Sequence, residues 1–244
     1  MNKLRITSLI LFTTSLFTLS SCDNNCIKGN GDIVTKTLDV KPFNSIVLET
    51  NANVVISQGE TQDVKVTTSS NMIESIKTDV TDSTWLIDFH KGCFSYKEMI
   101  FEITVPKIKN VITNGTGKIK INNFDIRGNL SVTTNGTGLF ELHSLMNTNL
   151  LDINIAGTGD INIVDSSSSV NKIMIDISGT GNVRSFPYTT NQCLINISGT
   201  GNCEVNVNDD LNINISGTGN IYYKGHPNIE KNISGTGNVY DKND

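Results

Sequence analysis

The sequence predicts an all-β fold, a stacked solenoid with coils of about 20 residues, and two observations carry that prediction. The tripeptide Gly-Thr-Gly recurs seven times, its first glycines being Gly115, Gly136, Gly157, Gly179, Gly199, Gly217 and Gly235. Their spacings of 21, 21, 22, 20, 18 and 18 residues imply one fixed turn per coil. On either side of each turn, apolar residues alternate with polar ones, as in Ile173-x-Ile175-x-Ile177 before a turn and Ile161-x-Ile163 after one. Period-two alternation rich in β-branched residues describes strands with one buried face. One coil cannot bury that face alone, so stacked coils must share a continuous Ile/Leu/Val column.

Residues 1–21 stand apart from the fold. Lys3 and Arg5 precede an uncharged apolar stretch from Leu9 to Leu19, which reads as a secretory signal too short for a stable membrane span. Its end, Leu19-Ser20-Ser21-Cys22, resembles the lipobox of bacterial lipoproteins, which implies cleavage before Cys22 and lipid attachment to its thiol. Residues 22–28 then form a lipidated tether, and the lipid is the expected membrane contact. Without the signal, 17 Lys and Arg face 24 Asp and Glu, a net charge of −7. Such an acidic, Asn/Ser/Thr-rich surface argues against nucleic acid as a partner.

Residues 29–244 read as a single domain, less regular over 29–110 and repetitive over 111–240. In the first part Ser45–Leu48, Val54-Val55-Ile56, Val64-Lys65-Val66, Trp85–Phe89 and Ile100–Val105 are strand candidates. Asn71–Ile76 suits one or two helical turns capped by Asn71. Gly29-Asn30-Gly31-Asp32-Ile33 looks like a degenerate eighth turn. In the repeats, the glycines admit backbone angles closed to other residues and make room for neighbouring turns, while the threonines stack as a ladder. Ser166–Ser169 and Asp209-Asp210 fall in return loops. Beyond Cys22, four cysteines permit two disulfides in three pairings. Cys26–Cys93, tying the start of the domain to its first half, is the favoured pair. Cys193 and Cys203 fall at inward positions and read as buried thiols.

Several segments together resemble the auto-transporter adhesin head GIN domain family, exported bacterial proteins abundant in Bacteroidota. They are Pro42-Phe43-Asn44-Ser45-Ile46, Val54-Val55-Ile56-Ser57-Gln58-Gly59, Val105-Pro106-Lys107-Ile108-Lys109-Asn110-Val111, and the close Gly225-His226-Pro227-Asn228-Ile229 before the last Gly-Thr-Gly. The resemblance covers residues 27–240, with Thr standing where relatives more often carry Gly-Ser-Gly. It implies a right-handed, single-stranded parallel β-helix in the cell envelope, at the outer membrane and surface-exposed. It supplies no catalytic residues.

The chemistry-bearing residues point the same way. Polysaccharide-cleaving β-helices need converging carboxylates, whereas Asp152 and Asp176 occupy different columns of the repeat. Asp160 aligns with Asn182, Asn202, Asn220 and Asn238, so no proton-transfer pair emerges and no enzyme is expected. His90, His143 and His226 lack ligand spacing, there is no CxxC pair, and neutral amides are poor calcium ligands, so neither metal nor cofactor is expected. Three Asn-x-Ser matches at Asn196, Asn214 and Asn232 follow from repeat composition. What remains is a polar strip of Asn154, Asp176, Asn196, Asn214 and Asn232. It is either a solvated face whose amides bond from rung to rung or a flat site for a glycan or envelope protein, with Tyr222, Tyr223 and Tyr240 as stacking groups. The expected function is a non-enzymatic, ligand-binding envelope protein; the alternative is a structural or assembly partner in the envelope.

Overall fold

Burial alternates along the strands of the repeats: Ile161–Ile163 is buried at both isoleucines, and Ser169–Ile177 at Val170, Ile173, Ile175 and Ile177. Parallel pairing brings these residues into register from coil to coil. One inward column runs Trp85, Ile46, Val111, Val132, Ile153, Ile175, Ile195, Ile213, every member at most 1% exposed. A one-residue slip would turn the whole column to solvent, so the register is fixed by apolar burial at about 1.5–3 kcal/mol per side chain. The computed structural model describes residues 26–165 and 169–243 as a β-solenoid of coils of about 21 residues. The expected signal, Cys22 and Ser166–Ser168 lie outside the described residues. Among those described, no helix is long and apolar enough to cross a membrane.

Rung order departs from chain order at one place. Ser45–Leu48 pairs in parallel with both Thr84–Ile87 and Asn110–Thr113, and Asn53–Gln58 with both Met99–Val105 and Lys118–Ile121. The coil of residues 45–58 is therefore inserted between the coils of 84–105 and 110–121. Its corner, Glu49-Thr50-Asn51-Ala52, occupies the position that Gly-Thr-Gly holds elsewhere: a Cβ on Gly115 or Gly117 would overlap the Thr50 or Ala52 carbonyl oxygen.

The end below this stack is closed by antiparallel pairing. Ile33–Thr37 runs antiparallel to Asp63–Ser69, which runs antiparallel to Met99–Val105. Gly29–Ile33 is thus no eighth stacked turn; it leads into a capping strand, with Gly31 at φ 82°. The helical turn is a 3-10 segment, Ser70–Ser75, and Asn71 does not cap it. The Asn71 side chain instead accepts from the Asn30 N–H and donates to the Lys28 carbonyl, stitching the incoming chain to the cap. Trp85 anchors the core here, donating its indole N–H to the Lys77 carbonyl at 3.0 Å and meeting Phe101 edge-on. A disulfide joins Cys26 to Cys93 beside the short parallel pair Ile27–Lys28 and Phe94–Ser95. Cys193 and Cys203 are buried free thiols, and burial pushes both well above the ordinary thiol range.

The Gly-Thr-Gly corners work through space, not through unusual backbone angles. None of the repeat glycines has positive φ. A Cβ on Gly157, Gly179, Gly199, Gly217 or Gly235 would overlap the carbonyl oxygen of the glycine one coil below. The threonines are exposed and make no side-chain hydrogen bond among the described residues; from Thr137 onward their backbone N–H groups bond the glycine carbonyl of the previous coil at 3.0 or 3.2 Å, as in Thr200 to Gly179. The expected side-chain ladder of threonines is therefore a backbone ladder. Asp209 and Asp210 also lie within a continuous strand, Cys203–Ile215, and not in a loop.

Gly199→Ala should destabilise the protein by about 1–3 kcal/mol or more, because the added methyl meets fixed backbone. Thr200→Ala should cost well under 1 kcal/mol, as is usual for an exposed side chain without partners. Urea denaturation of the two variants checks the contrast.

Candidate functional site

The strip predicted from sequence assembles in register on the strand face preceding each turn. Asn154, Asp176, Asn196, Asn214 and Asn232 lie one above another on successive coils. Asn196 Nδ2 donates to Asp176 Oδ1 at 2.8 Å, and Asn214 Nδ2 donates to Asn196 Oδ1 at 2.9 Å. Ser178, Ser198, Ser216 and Ser234 form the next column, and the two columns line a shallow trough of about 320 Å³. A primary amide has two N–H donors, and the ladder takes one from Asn196 and one from Asn214. A second N–H on each, together with the hydroxyls of Ser198, Ser216 and Ser234, is left to the trough at a rung spacing of about 4.8 Å, while the Ser178 hydroxyl donates to the Ile155 carbonyl.

A second ladder, on the other side of the turn, is more tightly bound. Asn182 donates both its backbone N–H and its side-chain N–H to Asp160 Oδ1, at 2.7 and 3.0 Å. Asn202 repeats the arrangement on Asn182, and Asn220 on Asn202, while the Asn238 backbone N–H donates to Asn220 Oδ1. These half-buried amides satisfy main-chain donors at the corner, so this ladder serves the fold. Arg184 closes its lower end, donating to Asp160 Oδ2 at 2.8 Å and Asn162 Oδ1 at 3.0 Å. Burial pushes the Asp160 carboxyl up, but the bonds from Arg184 and Asn182 outweigh it and hold the group below the ordinary carboxylate range.

The remaining candidates do not converge. Asp152 accepts from Ser131 Oγ in the column beside Asp176, one coil lower. Tyr222 and Tyr240 lie on the face following the turn, away from the Asn strip, and stack on each other with centroids 5.2 Å apart. Tyr223 donates to Asp241 on the next coil. His143 contacts Glu141 at 3.2 Å, in a cluster where Lys118 above all holds the Glu141 carboxyl below its usual range. Among the described residues no group of three or more His, Cys, Asp or Glu side chains could hold a metal ion.

Sequence reasoning missed a larger concavity of about 1250 Å³ at the return side of the lower coils, bounded by residues 58–60, 106–110 and 125–131. The crossing segment 106–109 that forms one wall exists because the 45–58 coil is inserted out of order. The local signal in the sequence was the Arg127-Gly128 step, where the strand register shifts.

The fold finds direct counterparts. The profile of the family described as putative auto-transporter adhesin, head GIN domain, matches residues 42–227. The chain belongs to that family. A putative adhesin from Bacteroides fragilis NCTC 9343 superposes with a TM-score of 0.79 at 23% identity, covering 88% of this chain and 100% of that one. A putative adhesin from Parabacteroides distasonis ATCC 8503 gives 0.70 at 21% identity over 89% and 100% of the two chains. A protein of the same organism described as a putative lipid binding protein gives 0.71 at 20% identity over 88% and 99%. At these identities the likeness is one of fold. Among curated proteins none matches the chain.

The two ladders should respond differently to truncation. Asn202→Ala removes the acceptor of the Asn220 N–H and should cost about 1–3 kcal/mol, whereas the more exposed Asn214→Ala should cost about 0.5 kcal/mol. Calorimetry on both variants distinguishes them. Because the Asp160 pKa is lowered on folding, its contribution is present above the ordinary carboxylate range and is lost as pH falls through its folded pKa. Asp160→Asn should therefore lower stability at neutral pH and flatten the loss of stability in acid, measured as Tm against pH.

Proposed function

We propose that this protein is a non-enzymatic adhesin of the bacterial envelope, anchored through lipid on Cys22 and presenting the polar trough to a glycan. The family suggests a cell-surface or envelope protein. The observation that carries the ligand assignment is the registered strip itself. From Asn154 to Asn232 it offers five polar rungs over about 19 Å, with N–H and hydroxyl donors beyond those the ladder consumes. A regular row of such groups suits an extended, hydroxyl-rich polymer lying along the rod. The Cys26–Cys93 disulfide supports an anchored orientation, since it fixes the chain close to Cys22 against the capped end and leaves the trough to run away from it. Outer-membrane attachment with surface exposure is part of the same reading.

Glycan-array binding by the wild-type protein should be lost in an Asn196→Ala/Asn214→Ala double variant that keeps its Tm. An empty array together with one co-purifying envelope protein would replace this reading with a structural or assembly role. Protease treatment of intact cells should cleave the protein; complete protection until lysis would place it inside the envelope.

A further inference from the structure

The groove at the return side has a construction that the solenoid itself does not require. Gln58 holds its walls together: Oε1 accepts the Asp125 N–H at 2.9 Å, while Nε2 donates to the Pro106 and Asp125 carbonyls at 3.2 and 3.3 Å. Three separate segments are thereby pinned around a floor whose apolar surface comes from the half-buried Ile126 and Leu150, beside the buried Ile108 and Leu130. On its rim Arg127 sits at φ 46°, in left-handed backbone that disfavours any residue with a Cβ. Two other non-glycine residues of positive φ, Asp82 and Ser83, form the tight turn of an antiparallel hairpin and need no other explanation. Arg127 lies at an open corner beside Gly128, where glycine would serve the backbone better.

What the Arg127 conformation does is present a guanidinium. Its Nε donates to Asp125 Oδ2 at 2.6 Å, and the side chain is 80% exposed. Asp125 is further held by Asn147 Nδ2 at 2.8 Å, from the next coil and itself at φ 52°. A guanidinium carries five N–H donors, so the fork remains able to take a second carboxylate. Lys107 and Lys109 line the same groove, and among the described residues no carboxylate is in ion-pair contact with either. Glu60 and Asp152 line the same groove and are acceptors suited to hydroxyl groups.

We propose that this groove is a second binding site, distinct from the trough, for a carboxylate-bearing saccharide such as a uronic-acid oligomer. The apolar floor accepts the C–H face of a sugar ring, the cations take its carboxylate, and the carboxylates and amides of the rim take its hydroxyls. An acidic peptide fits less well, because its carboxylates would meet the groove's cations but it brings few hydroxyl donors for Glu60 and Asp152. Asn110–Thr113 is paired on both sides, while Phe124–Thr134 meets that strand only over Ser131–Thr134 and is paired on its other side by Leu145–Ile155.

Titration calorimetry of the full-length chain with a galacturonic-acid tetramer, a neutral glucose tetramer and an oligoglutamate peptide tests the assignment. The uronic tetramer should bind, more weakly as salt rises, and the neutral tetramer should not. Arg127→Gly should weaken binding by about tenfold or more while leaving Tm equal or higher, since glycine relieves the positive φ. Lys107→Ala/Lys109→Ala should also weaken it, and the Asn196→Ala/Asn214→Ala variant should bind as wild type does. Absent binding, equal binding of the neutral tetramer, tighter binding of the peptide, or undiminished binding by Arg127→Gly would overturn the proposal. Loss in the trough variant would merge the two sites into one.

Discussion

The approach of backbone to backbone at the Gly-Thr-Gly corner is the constraint on which the rest of the structure depends. From Gly136 onward each first glycine rests on the carbonyl oxygen of the glycine below, so closely that a Cβ would occupy the oxygen's place. Threonine N–H groups bond across the same contact. The corner thus sets one spacing for every coil, and both flanking strands inherit it. Only because that spacing is uniform do Ile153, Ile175, Ile195 and Ile213 stack one above another, and only then do asparagines on successive coils fall within hydrogen-bond reach. The apolar columns supply most of the stabilisation, since each buried isoleucine is worth about 1.5–3 kcal/mol against about 1 for a net hydrogen bond. The ladders reinforce the register that apolar burial fixes.

The same residue type serves two ends on the two sides of the corner. Asparagines in the Asn182 column spend their carbonyl on both a main-chain and a side-chain donor of the next coil. Those in the Asn196 column spend it on one side-chain donor only. The difference arises because the first column sits where the chain leaves the turn and its N–H groups lack a strand partner. Polar groups on that side are committed to the fold, and those on the other retain capacity for a ligand. Shape obeys the same division: the trough is shallow and periodic, while the deeper groove arises where periodicity fails, at the inserted coil and the Arg127 corner.

Much of this was legible in the sequence, and the limits have identifiable causes. The Gly-Thr-Gly spacing and flanking alternation specify the stacked strands, because turn geometry and burial period are both local. The candidate strip was legible for the same reason: residues at equal distances from equivalent turns must align. Gly29–Ile33 misled because a glycine pair marks a turn without specifying how the next strand pairs; there that strand runs antiparallel to Asp63–Ser69. Asn71 carried a helix-cap signal, yet its amide found backbone partners at Lys28 and Asn30, more than 40 residues away in sequence. Tyr222 and Tyr240 read as free to stack on a ligand, but vertical register stacks them on each other.

By itself the sequence determined the period, the inward and outward residues and the repeated corner, since each depends on contacts between neighbours along the chain or on exact repetition. The tertiary structure alone decided the insertion of the 45–58 coil between later coils, the antiparallel cap, the commitment of one asparagine ladder to the backbone, and the groove pinned by Gln58. Each of these rests on a contact between segments with no shared period. Alternation cannot encode which non-repeating strand lies above which, because Trp85, Ile46 and Val111 satisfy the same inward pattern in any order. Their order is settled by the packing and hydrogen bonding of the folded chain.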